Sequence, residues 1–137
     1  MLVINIETLS NIGRKITGEI YFEFSNFIFP EKGWNDFVVI ILSWWLNEFK
    51  KNNYNFKMLF MDGSFEIEIK ESRNKQIDMV FFKGDTKLFT INTSKNTLKT
   101  ELLKSARKVL RKAYQKNWQT SDVEGLKKII SLYHSSK

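Results

Sequence analysis

Phe56-Lys57-Met58-Leu59-Phe60-Met61-Asp62-Gly63-Ser64-Phe65-Glu66-Ile67-Glu68-Ile69 is the stretch on which the fold turns. Two alternating runs flank Asp62-Gly63, a dipeptide suited to a type I′ turn because both central residues of that turn need positive φ. With that turn as the pivot, Phe60 faces Phe65, Met58 faces Ile67 and Phe56 faces Ile69 on one side of a hairpin. On the other side Lys57 meets Glu68 as an opposite-charge pair. Apolar side chains share one face and charges the other, so the segment predicts an antiparallel sheet.

The chain extends this sheet downstream. After a polar loop at Glu71–Lys75, Gln76–Phe82 and Thr86–Asn92 read as a second hairpin turning at Lys83-Gly84-Asp85. Ile77, Met79 and Phe81 alternate with Asp78, Val80 and Phe82, which predicts partial cover on both faces. Upstream, Leu2–Glu7 reads as a short strand and Glu19–Phe29 as a longer one that Pro30 ends. Asn35 is placed as a helix N-cap with Asp36 near the positive end of the dipole, opening a buried helix over Asp36–Lys51. Val38–Ile41 is β-branched, so within Phe37–Leu46 helix and buried strand both remain open.

The last third is predicted helical. Leu98, Leu102, Ala106, Val109, Leu110 and Ala113 recur at three- and four-residue spacing and form one apolar stripe. Asn117–Thr120 breaks the pattern. Ser121 with Glu124 makes a capping box that opens a final helix burying Val123, Leu126, Ile129, Ile130 and Tyr133. Strands followed by helices give an α+β class: an antiparallel β-sheet of about five to six strands, with a buried helix and two C-terminal helices packed on one face. With no repeat and no Pro/Gly/Ser-rich linker, residues 1–137 are expected to form a single α+β domain.

Composition narrows the function classes. Hydrophobic residues make up 42% of the chain, aromatics 15%, and there is one proline, which excludes a disordered chain. No cysteine is present, so disulfides, thiolate nucleophiles and cysteine zinc sites are excluded. The first residues lack the sustained apolar run of a secretory signal. Phe37–Leu46, broken by Ser43, is about half the roughly 20 residues needed for a membrane span. Cytoplasmic localisation is the expectation.

Charge is distributed unevenly. Residues 1–94 carry 11 Lys/Arg against 12 Asp/Glu, whereas residues 95–137 carry 11 against 3. The basic excess therefore lies in the helical third, where Lys104, Arg107, Lys108 and Arg111 gather opposite the apolar stripe. Such a face suits an anionic partner, although a solvated basic helix needs none. A nucleic-acid-binding helix around residues 98–116 is the alternative; such a helix would normally add arginines or aromatics aimed at bases, and here Arg107 and Arg111 are the only arginines. Membrane-surface binding would need a second apolar face, since the stripe is required for packing.

Four tryptophans form the other distinctive group. Trp44 and Trp45 point about 100° apart on a helix, so both are not expected to be fully buried. Core packing is the ordinary role of such residues. A loop Trp34 beside Gly33 would make a partner-binding anchor, and a pocket lined by Trp44 or Trp45 would suit a ligand. The carboxylates are otherwise accounted for: Asp62 by its turn, Asp36 by capping, Glu66 and Glu68 by a solvent face. No glycosidase-like pair stands out, His134 is the one histidine, and no triad, zinc motif or phosphate-cradling loop is present. No catalytic residue, cofactor or metal ligand is predicted, and the chain is expected not to be an enzyme.

Phe29-Pro30-Glu31-Lys32-Gly33-Trp34-Asn35-Asp36-Phe37, continuing to Trp44-Trp45-Leu46 and joined by Phe60-Met61-Asp62-Gly63, resembles a group of small immunity proteins of bacterial polymorphic-toxin systems. The resemblance covers roughly residues 20–70. It implies a cytoplasmic protein that binds one cognate toxin domain and blocks it, and it assigns no inhibitory residue. Combined with the basic helix, it leads to the expectation of a toxin with an acidic surface, met by Lys104, Arg107, Lys108 and Arg111 with Trp34 as anchor.

Overall fold

The central alternation produces strands with the expected register. The structure, a computed structural model, describes residues 1–135. Strands β5 (Asn55–Leu59) and β6 (Phe65–Glu71) pair Phe56 with Ile69, Lys57 with Glu68 and Met58 with Ile67. The turn itself differs from the expectation. Gly63 is not in the left-handed region, and the Phe65 amide donates to the Asp62 carbonyl at 3.0 Å. The Asp62 carboxylate accepts the Ser64 amide at 3.0 Å and the Ser64 hydroxyl at 2.5 Å, so a side-chain turn replaces the type I′ geometry. Lys57 also chooses a different partner. Its Nζ lies 3.2 Å from Glu66, diagonally across the pair, while Glu68 pairs with Lys70.

Strands β7 (Gln76–Lys83) and β8 (Thr86–Ser94) complete this sheet in the order β5-β6-β7-β8. Gly84 turns the β7–β8 hairpin at φ +59°, a conformation that costs glycine little. The remaining strands form a second antiparallel sheet, so the class is α+β but the single sheet of five to six strands becomes two of four. Here β1 (Leu2–Ile12) pairs with β2 (Lys15–Phe24), which also pairs with β3 (Phe27–Phe29) and β4 (Asn35–Asp36). The expected long strand Glu19–Phe29 is thus folded back on itself at Ser25-Asn26. Gly13 and Arg14, at φ +57° and +67°, make the tight β1–β2 turn. The register of β1 shifts between Asn5 and Ser10, where Thr8 Oγ1 accepts the Glu19 amide at 2.9 Å. Gly18 sits against this irregularity: a Cβ there would come within 2.6 Å of Leu9 Cδ2.

Pairing of β4 with β2 delays the first helix. Asn35 and Asp36 are committed to the sheet, so α1 spans Val38–Lys50 and Asn35 is not its cap. Helix wins over strand from Val38 on, because one face of α1 buries Val38, Ile41, Leu42, Trp45, Leu46 and Phe49. The C-terminal helices are α2 (Lys95–Gln115) and α3 (Ser121–Ser135). The cap of α3 falls one residue before the expected box. Thr120 Oγ1 accepts the Val123 amide at 3.4 Å, a donor the Asp122 carboxylate also takes at 2.9 Å, whereas Glu124 pairs with Lys127.

One continuous cluster of buried residues draws on both sheets and all three helices. Its centre is aromatic. The Phe81 ring of β7 lies 5.0–6.0 Å from the rings of Phe22, Phe24, Phe27 and Phe29, mostly edge to face as their quadrupoles prefer. These contacts press the phenylalanines of β2 and β3 onto the β5–β8 sheet. Trp45 closes the cluster against Phe22 and Phe60.

Candidate functional site

The face of α2 turned from the core is the strongest candidate. Ser94 caps the helix, its Oγ accepting the Thr97 amide at 3.0 Å. Leu98, Leu102, Ala106, Val109 and Ala113 are then buried as the stripe required. Lys104, Arg107, Lys108 and Arg111 follow the i, i+3, i+4, i+7 pattern on the opposite side, and all four are exposed. They line a ridge about 10 Å long at 1.5 Å per residue. Among the described residues no carboxylate pairs with any of them. The acid of α2, Glu101, points elsewhere and accepts the Leu2 amide at 3.2 Å. Arg107 Nη2 lies 3.2 Å from His134 Nε2. Since a guanidinium only donates, the imidazole nitrogen accepts.

Tyr114 belongs to this surface and has no counterpart in the sequence expectation. It is 83% exposed, three residues beyond Arg111 and seven beyond Arg107, hence on the same flank. A tyrosine outside the apolar stripe is the signal that would have found it. Exposed Tyr beside Arg is the composition that dominates binding energy at protein interfaces.

Trp34 lies apart from this ridge. It is half-buried, its Nε1 donates to Asp36 Oδ2 at 2.8 Å, and its ring packs against Phe60 and Phe65. Trp44 and Trp45 diverge as their positions required. Trp45 is fully buried and donates to the Leu59 carbonyl at 2.8 Å, whereas Trp44 is 43% exposed. Trp44 borders a depression of about 170 Å3 with Lys57 and Leu59, below the roughly 300 Å3 at which ligand pockets begin. Trp118 is half-buried against the core.

The carboxylates are occupied structurally. Hydrogen bonds from the Ser64 hydroxyl and amide hold the Asp62 carboxyl below its usual range. Asp36 is buried and accepts three donors: Phe37 N at 2.7 Å, Trp34 Nε1 at 2.8 Å and Met61 N at 3.3 Å. Among the described residues no group of three or more His, Asp or Glu side chains could hold a metal ion. Nor is any helix among them long and apolar enough to cross a membrane. No family model matches the chain, and comparison with curated proteins and with solved structures finds no match.

Proposed function

We propose that this chain is a non-enzymatic, cytoplasmic binding protein that neutralises a bacterial toxin domain bearing an acidic surface. The observation carrying this reading is the exposed cationic ridge of α2, unmatched by any described carboxylate and flanked by Tyr114. The ridge supplies long-range attraction, and the tyrosine supplies contact area at little entropic cost. The resemblance of residues 20–70 to toxin immunity proteins supports the partner class. Trp34 is given a lesser role than the ridge, because its indole N–H and ring are already engaged within the fold.

The test is capture by the tagged protein from host extract, with and without nuclease treatment, run beside the Arg107→Glu/Arg111→Glu variant. The expected result is one stoichiometric toxin domain, with association slowed about tenfold or more in the variant and falling with salt in the wild type. Recovery of nucleic acid alone, with affinity dropping steeply as salt rises, would overturn the reading and assign the ridge to phosphate binding.

A further inference from the structure

A cavity of about 350 Å3 opens where the end of α1, the β6–β7 connection and the first turn of α2 meet. Its lining includes Phe49, Asn52, Glu71, Lys75, Lys95 and Lys99. Three ammonium groups therefore border one space with a single carboxylate. That carboxylate is taken: Glu71 Oε1 lies 2.8 Å from Lys95 Nζ, with the two side chains 12% and 16% exposed. Among the described residues no acid pairs with Lys75 or Lys99. The cavity keeps two uncompensated positive charges, and a concave wall of low dielectric concentrates their field.

We infer that this cavity binds a small organic anion of at least two negative charges, a phosphate ester or a polycarboxylate. Lys75 and Lys99 neutralise the anion, and Asn52, which also lines the cavity, supplies a side-chain amide as donor. The nearly buried Phe49 ring offers an apolar wall. The Lys95–Glu71 pair holds the α2 side of the cavity in place. The volume lies at the small end of the range for ligand sites, about 300–1,000 Å3, and suits a metabolite-sized molecule. Lys99 is half-buried and Lys75 exposed, and none of the four ridge residues lines the cavity, so this site is separate from the proposed partner surface.

Amide NMR of the full chain, titrated with pyrophosphate and separately with citrate at physiological ionic strength, tests the assignment. Saturable shifts centred on Asn52, Lys75 and Lys99 are expected. The Lys75→Gln/Lys99→Gln variant should weaken binding at least about tenfold, converting to roughly 1.4 kcal/mol. Arg107→Gln/Arg111→Gln should leave it unchanged. Tighter binding of one probe assigns the ligand to phosphates or to carboxylates. Shifts that never saturate, that spread over the α2 ridge, or that persist in Lys75→Gln/Lys99→Gln would overturn the site. The same spectra report whether each variant is folded, and the toxin-binding proposal stands or falls independently.

Discussion

Asp36 joins three parts of the chain through one buried side chain. Its oxygens accept the Trp34 indole, the Phe37 amide at the start of α1 and the Met61 amide of the β5–β6 connection. Asp36→Ala leaves all three donors without their acceptor. Destabilisation of about 3 kcal/mol is expected, read as a lower urea midpoint with an unchanged slope. Tyr133 makes a second single-residue link, its hydroxyl donating to the Leu46 carbonyl across α3 and α1. Burial pushes this phenol from 10.0 up to about 12. The unfolded chain therefore loses the proton first. The stability Tyr133 contributes is complete below pH 10 and disappears as pH rises to about 12. Tyr133→Phe should cost about 1 kcal/mol at neutral pH. Thermal melts should show the advantage of the wild type over this variant shrinking through that alkaline window.

At the scale of elements, local signals were legible where one periodicity governed. The 56–69 register followed from the Asp62-Gly63 pivot between two alternating runs, although Asp62 found a better partner in Ser64 than the expected turn geometry offered. The β1–β2 hairpin was hidden because Gly13-Arg14 is not a common turn pair and because an irregularity interrupts β1. The start of α1 was misplaced because Asn35 and Asp36 are recruited by β2, a tertiary event with no local mark. The cationic ridge was readable from helical spacing. The Lys75–Lys95–Lys99 cavity was not, since three separate elements assemble it. The shifted cap of α3 is open to direct trial. Thr120→Ala should cost about 1 kcal/mol in urea unfolding, whereas Ser121→Ala should stay within about 0.5 kcal/mol. Equal losses would restore the expected box.

At the scale of the whole molecule, Phe81 binds the two sheets into one aromatic centre, and Trp45 brings α1 into it. The Phe49–Phe56 pair packs β5 on α1 separately, but the contact between the two sheets centres on Phe81. Unfolding followed by tryptophan fluorescence and by far-ultraviolet circular dichroism should therefore give coincident transitions. Phe81→Ala should destabilise by about 3–5 kcal/mol and move both together. Two separated transitions would show that the sheets hold themselves independently.

The link between Asp122 and the Ile16 amide, 3.0 Å long and 106 residues apart in sequence, also bears on biosynthesis. A ribosome releases the β1–β2 segment long before α3 exists. Until Asp122 emerges, the Ile16 amide lacks this acceptor, and the inner face of the first sheet lacks part of its cover. The nascent chain must hold an unfinished, aromatic-rich sheet until α3 has emerged. Completion then joins the β1–β2 hairpin to α3, a long-range closure of the kind that slows folding.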